Sequence, residues 1–540
     1  MLHRRPSAAE LRGTRPAFIL TVSWLGRIYR FADRPLIINT SAGEPLRYDG
    51  SLDLRSLQDS LRRSDSTPQG GTASMSVVFP DVSVMAEYIA GRMLEVAVCE
   101  LSMVFVRGDT ALTVYERRLI QITGPVSRPQ IGFPDRAAGY AAFTITSRPF
   151  DDTQPVLDPK SNIGPVTLFG SPVDYQGSPY PLVIGSPGDG DSPGSPGYLI
   201  KVTGSEHLVL IAAGRVVASR VTMYDEDGER YTTATVEHAT DAYGNLYAFT
   251  DVHNAGSSFN GVSGEHHVGW HFAGEPTYGL RNPYGRGGLE AGGDVIRYML
   301  ELSGAAVDDA AFRSAEPALN RYKFAGYVND ATVTAWQLLS SQVLPFMPVQ
   351  LRIGADGVYP VSLLPLNSIG QLPQLTLDAA RGIVQVSPVQ VLQRLADLTN
   401  ELGIKYKRND LQNKLMDTLI ETADTTVSDR ARLLEGQRSR ELYGRRPGAT
   451  VDVSYIQEDS TAERVLRWLI YDRGFMHLAV QVQAAPRYGW LMVGDQISLT
   501  ATDLALTGQR ATVTSKAWNG SAWRFVLSWS MAPMELGGIG

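Results

Sequence analysis

Tyr443-Gly-Arg-Arg446, Val451-Asp-Val-Ser-Tyr-Ile456, Ser460-Thr-Ala-Glu-Arg-Val-Leu-Arg-Trp-Leu-Ile470, His477-Leu-Ala-Val-Gln-Val-Gln-Ala484 and Gly489-Trp-Leu-Met-Val-Gly-Asp-Gln-Ile-Ser-Leu-Thr500 follow one another in the C-terminal third. The runs at 451–456, 477–484 and 496–500 are short, β-branched and bounded by turn residues, as strands are. Between them Ser460 and Glu463 make an S-x-x-E capping box ahead of Val465, Leu466, Leu469 and Ile470, which predicts a helix over Thr461–Ile470. Trp523–Ser530 reads as one more strand, so this part is β-rich with a helix embedded in it.

Upstream, Ser387-Pro388 has the form of an N-cap followed by Pro at N1. With Val389, Leu392, Leu395, Ala396 and Leu402 it predicts a helix ending near Gly403. Leu351–Tyr359 has Asp356-Gly357 at its centre and predicts a hairpin. Two further helices are expected, one from Asp294 to Gly304 and one from Asp330 to Leu344, the second closed by Pro345 and Pro348. Tyr198–Val202, His207–Ala212 and Arg220–Tyr224 predict strands of a small β-domain reaching about His271, with Asp225-Glu-Asp-Gly and Asp241-Ala-Tyr-Gly-Asn as its turns. Residues 149–197 are broken by Gly and Pro and read as a linker or long surface loop. From Pro16 to about Pro159, alternating runs such as 74–79, 93–98 and 141–146 predict an antiparallel β-domain, interrupted by a short helix at Val82–Ile89. The fold class is therefore mainly β with α+β segments. The expected domains are 1–159, 160–275, 276–375 and 376–540.

Composition narrows the function. A net charge of −7 argues against a surface made for nucleic acid, which needs clustered Lys and Arg. Cys99 is the single cysteine, which rules out an intrachain disulfide and a multi-thiolate zinc site. No apolar run approaches the ~18 residues of a membrane span, and no signal-peptide pattern opens the chain.

Candidate chemistry is thin. Glu265, His266, His267 and His271 contain an i, i+4 histidine pair, but Gly261, Gly264, Gly269 and Gly274 surround it and predict a loop, where that spacing does not converge on a metal. Asp225-Glu-Asp-Gly-Glu229 lacks the spaced ligands and terminal Glu of a calcium loop. Gly188–Gly194 has no Lys for a phosphate. Ser192 sits in a literal G-x-S-x-G string without the strand before it and helix after it that a nucleophile elbow needs. Asp151-Asp152 and Glu458-Asp459 are adjacent carboxylates whose side chains diverge or face water. Arg440–Arg446 and Arg321-Tyr-Lys-Phe324 are basic-aromatic segments that read more simply as solvated edges with an anchoring aromatic. Trp490, Trp518, Trp523 and Trp529 are core or subunit contacts before they are a sugar platform. The expectation is of no catalytic, cofactor-binding or metal-holding residue and of no cofactor.

The order Tyr443-Gly-Arg-Arg, strand, helix 461–470, strand, Gly489–Thr500 and then Leu506-Thr-Gly-Gln-Arg-Ala-Thr-Val-Thr514 resembles the tail-hub, or baseplate-hub, proteins of tailed bacteriophages. Pro45-Leu-Arg-Tyr-Asp-Gly50 and Arg148-Pro-Phe-Asp-Asp152 resemble the opening and closing of that family's N-terminal β-domain, and residues 160–290 are less clearly covered. The resemblance implies two barrel-like β-domains per chain and a homotrimer forming a six-domain ring around a channel that DNA passes without specific binding. It implies as partners the tail tube or distal tail protein, a three-fold tip, spike or central fibre protein, and the tape measure protein. The location would be the virion tail, tip or baseplate, after assembly in the host cytoplasm. The alternatives are a tail-tip glycan hydrolase and a carbohydrate-binding receptor protein.

Overall fold

The computed structural model describes residues 14–61, 70–79, 94–107, 110–111, 114–135, 138–147, 153–157, 179–188, 194–202, 207–224, 230–251, 270–273, 279–354, 356–364 and 372–532. The expected helix at Val82–Ile89 lies outside them.

Two antiparallel β-modules stand at the ends of the chain and share a strand plan. In the N-terminal module Arg15–Trp24 pairs with Arg27–Ala32 and Val98–Arg107. Val98–Arg107 then pairs with Leu119–Asp135, Leu119–Asp135 with Ala138–Thr146, Ala138–Thr146 with Thr72–Phe79, and Thr72–Phe79 with Asp53–Ser60. In the C-terminal module Gln374–Thr376 pairs with Gln496–Ala501, which pairs with Leu506–Trp518. Leu506–Trp518 pairs with Trp523–Ser530, and Trp523–Ser530 with His477–Ala484. His477–Ala484 finally pairs with Ile383–Gln385 and Gln390–Val391. Taken in chain order the ladder is the same twice. The first contact differs, being antiparallel in the N-terminal module and parallel in the C-terminal one. Each module's hairpin also carries a register shift midway, between Ala142 and Thr144 and between Val513 and Ser515. Such bulges twist a strand and end its pairing with one neighbour.

The modules are fused. Leu57–Ser60 runs antiparallel to Ser515–Trp518, with Leu57 opposite Trp518 and Asp59 opposite Lys516. One hydrophobic core crosses the joint and includes Phe18, Leu20, Met103, Trp490, Trp518, Trp523 and Phe525. Phe18, Trp518 and Trp523 meet as a tilted cluster with centroids 5.0–5.9 Å apart. Burying each such side chain contributes on the order of 1.5–3 kcal/mol, so the joint is a packed interior and not a hinge between separate bodies.

The central part of the chain forms two further units. A seven-stranded sheet spans residues 195–273 in the order 230–235, 220–224, 270–273, 195–202, 207–213, 246–251, 237–240. Asp241 accepts from the backbone N–H groups of Tyr243 and Asn245 and shapes the hairpin expected there. The α+β core contains α1 (Gly292–Leu302), α2 (Asp309–Leu319), α3 (Ala335–Leu338), the hairpin Val349–Ile353/Val358–Ser362, α4 (Leu434–Tyr443) and α5 (Asp459–Gly474). A four-stranded sheet carrying Leu402–Asn409 and Lys414–Glu421 completes it, and Ile296, Met299, Phe312, Leu339, Ile404, Val465 and Leu469 share one cluster.

Three expectations are corrected. The helix from Ser387 to Gly403 is an edge strand: Gln390 and Val391 pair with Ala479 and Leu478, followed by a single turn at Leu395–Asp397. The Ser460/Glu463 capping box is not made. The helix begins two residues earlier, at Asp459 with Glu458 as N-cap, while the Ser460 hydroxyl accepts from Arg464 at 3.2 Å and Glu463 accepts from Arg467 at 2.8 Å. The helix expected from Asp330 starts at Thr334, which makes a reciprocal capping box with Gln337. Asp330 instead accepts from Thr332 in the preceding turn.

Candidate functional site: two buried polar nodes

The segment Leu491-Met-Val-Gly-Asp495 forms a tight turn. Gly494 adopts φ +93°, and the Asp495 carboxylate accepts from the Met492 N–H at 2.8 Å. The turn presses against the joint between the modules and gathers charges from three parts of the fold. Arg352, on the α+β hairpin, is 2% exposed; it donates to the Val493 carbonyl at 2.9 Å and pairs with Asp59 of the N-terminal module. Lys516, 1% exposed, donates to Gln121 Oε1 at 2.6 Å and to the Gly489 carbonyl at 2.7 Å, with its ammonium 4.4 Å from the Trp523 ring centre. Enclosure dominates the titration of both partners at the turn. Burial pushes the Lys516 amine down to about 7 against the pull of Asp59 and Asp495. It pushes the Asp495 carboxyl up to about 6 against the Met492 N–H, Lys516 and Arg352. The Tyr359 phenol also lies in the field of Arg352, Asp59 and Asp495, and the node ties three packed regions together as a polar lock, since a buried network of this kind fixes geometry.

The second node surrounds Tyr443-Gly-Arg-Arg446. α4 ends at Gly444 with φ +73° and ψ −178°, a conformation that favours glycine. Asn400, fully buried, donates to the Gly444 carbonyl at 2.9 Å and to Ser439 at 3.0 Å, and accepts from the Arg446 N–H at 2.8 Å. Arg445 grips Glu401 with Nε and Nη2 at 3.0 Å each. Burial raises the Glu401 carboxyl, but Arg445 and the Ala423 N–H outweigh it and hold the group below its ordinary value. Arg440 reaches Glu421 at 2.7 Å, where burial prevails and the carboxyl is raised.

The remaining candidates separate. Glu458 bonds Lys323 at 2.8 Å, whereas Asp459 takes Tyr406 at 3.0 Å and Lys407 at 2.9 Å, so the two carboxylates serve different partners. Tyr322 and Phe324 are core residues of the α+β unit. Trp490, Trp518, Trp523 and Trp529 all lie in the core the β-modules share. Burial pushes the Cys99 thiol up to about 12 and keeps it protonated. Asp151, Asp152, Ser192, Asp225–Glu229, Glu265, His266 and His267 lie outside the described residues, and of His271 the structure gives the backbone, within the strand Trp270–Ala273. Among the described residues no group of three or more His, Cys, Asp or Glu could hold a metal, and no helix is long and apolar enough to cross a membrane. Asp59, Gln121, Arg352 and Lys516 were not singled out from sequence. The one available signal was an apolar strand pattern broken by a charge, as at Lys516.

No family model and no curated protein matches the chain. Among solved structures, the tail protein from Neisseria meningitidis MC58 is 9% identical, with 95% of this chain and 96% of that one covered at a TM-score of 0.39. The prophage MuSo2 43 kDa tail protein from Shewanella oneidensis is 8% identical, with 96% and 99% covered at a TM-score of 0.38. Both are tail proteins. At these TM-scores the likeness carries no argument about what this chain does, which rests on its own residues.

Proposed function

We propose that the chain is a structural virion protein, the hub of a phage tail tip or baseplate, in which three copies form a ring that joins the tail tube to a three-fold tip, spike or fibre and encloses the DNA channel. The observation that carries this reading is the repeated β-module: two modules of one strand plan, fused through a shared ladder and core, are two of the six units such a ring needs. Burial of the four tryptophans and the separate partners of Glu458 and Asp459 support a role without catalysis. A net charge of −7 suits a channel that DNA traverses without capture. Absolute mass by light scattering, together with negative-stain class averages, tests the reading. An annular trimer is the expected result, and a monomer without a ring in the presence of tail-tube protein overturns it.

A further inference from the structure

Trp518 and Trp523 close the C-terminal hairpin whose first strand makes the joint with Leu57–Ser60, and the chain turns between them. The Asn519 N–H donates to the Ala522 carbonyl at 3.2 Å, which leaves Gly520-Ser521 as a two-residue loop with Gly520 at φ +92°. Asn519, Gly520 and Ser521 are exposed. The Asn519 side chain is held through its oxygen alone. Oδ1 accepts from the Ser521 N–H at 3.1 Å, the Ser521 hydroxyl at 3.2 Å and the Ala522 N–H at 2.9 Å. Among the described residues nothing bonds Asn519 Nδ2 or the Gly520 N–H, and no atom lies within 4 Å of the place a Gly520 Cβ would take.

These features meet the requirements of one reaction. A main-chain nitrogen can add to the Cγ of a preceding asparagine when no ladder bond holds it and no side chain screens it, and glycine supplies the second condition. Donors gathered on the amide oxygen stabilise the negative charge that grows there as the nitrogen adds. An unbonded Nδ2 facing water can take up a proton and leave. Both reacting groups belong to one loop, so the step is unimolecular.

We propose that Asn519-Gly520 is a site of spontaneous covalent modification, with water as the co-reactant. The Gly520 nitrogen gives its proton to water and bonds to Asn519 Cγ, the Cγ–Nδ2 bond breaks, and the side-chain nitrogen departs as ammonia from a cyclic imide. Water then opens the imide. Addition at Cγ leaves an aspartate in place of Asn519, and its carboxylate keeps the same donors. Addition at the main-chain carbonyl carbon of residue 519 leaves an isoaspartate, with the chain running through Cγ and one bond longer. Either route takes up water, releases ammonia and gives the loop a negative charge. The isoaspartate also lengthens the connection between Trp518 and Trp523, whose ring centres are 5.0 Å apart in the cluster at the joint, with Trp518 opposite Leu57 of the other module. The modification is thus a slow, one-way change at the place where the two modules meet, and it does not depend on how the chain assembles.

Peptide mapping of the full chain tests it, since trypsin cuts after Lys516 and Arg524 and isolates the site in the peptide Ala517–Arg524. The folded protein is held in mildly alkaline buffer and digested at intervals. The expected result is a form of that peptide lighter by ammonia, followed by a form heavier than the original by a single mass unit that separates into two chromatographic species. Ser521→Ala takes one donor from Oδ1 and leaves both N–H groups, so it should slow the conversion several-fold with an unchanged far-UV circular dichroism spectrum. Absence of the mass change in the folded chain, over a period in which the excised peptide converts, overturns the proposal. A rate in Ser521→Ala equal to or faster than that of the wild type overturns it as well, because the bonds on Oδ1 would then restrain the amide instead of promoting its loss.

Discussion

The two polar nodes do different work with similar residues. Around Arg352, Asp59, Asp495 and Lys516 the charges come from regions far apart in the chain, and the cations are almost wholly enclosed. Around Tyr443–Arg446 the cations keep contact with water: the Arg445 side chain is 62% exposed while its partner Glu401 is 6% exposed. The first node holds three packed regions in one geometry, and the second sets how α4 ends and where the chain goes next. Removing a member of the first should therefore cost more and be felt across the molecule.

Arg352→Met gives the largest expected effect. It strands the Asp59 carboxylate and the Val493 carbonyl at the joint, and breaking a buried ion pair from one side costs about 3–5 kcal/mol. The loss should appear in urea unfolding followed by tryptophan fluorescence, because Trp490, Trp518 and Trp523 lie in the shared core beside the node. A loss no larger than that of Arg445→Met would erase the distinction drawn between the nodes.

Asn400→Ala comes next. Three hydrogen bonds converge on this amide, and their main-chain partners at Gly444 and Arg446 would lose them at a cost of about 2–3 kcal/mol. Circular dichroism should show the loss while the fluorescence of the tryptophan cluster changes little below the transition. Gly444→Ala isolates the backbone contribution at the same place. A Cβ there meets no atom within 4 Å, so a destabilisation of about 2 kcal/mol in the urea midpoint would be conformational cost alone. An unchanged midpoint would mean the turn relaxes freely.

What the sequence disclosed follows the range of the interactions. Hairpins were legible because their signals are local: Asp356-Gly357 and the Asp241 turn encode their own geometry. The edge strand at 390–391 was misread because Val389, Leu392 and Leu395 fit a helical stripe as well as an edge, and what decides between them is the ladder to Ala479 and Leu478. The start of α5 moved because the side chains of the expected box serve other partners, Ser460 accepting from Arg464 and Glu463 from Arg467. Of the nodes, the motifs Tyr443-Gly-Arg-Arg and Leu491-Met-Val-Gly-Asp could be seen, but their partners could not. Asp59 and Arg352 are separated by 293 positions, and nothing in either neighbourhood announces the other. The repeated module was invisible because what repeats is a pattern of pairing, and the residues on corresponding strands differ, as Leu57 opposite Ala73 and Gln390 opposite Ala479 do.

The finest test of the contrast is the dependence of stability on pH. Burial lowers the Lys516 amine from 10.5 to about 7 in the folded chain. Between those values the unfolded chain binds the proton more, so this residue makes stability rise with pH from about 7 upward and adds nothing to the slope below. Asp495, raised from 3.8 to about 6, has the opposite sign: its contribution falls as pH climbs from about 4 to 6 and is flat thereafter. Over pH 7.5–9.5 Lys516 therefore acts without Asp495, with a slope of at most about 1.4 kcal/mol per pH unit. Lys516→Met should flatten the urea midpoint across that window, while Arg445→Met at the water-facing node should leave the slope as it is. A slope that persists in Lys516→Met would place the titrating group elsewhere and remove the argument that the joint between the modules holds its lysine in a desolvated state.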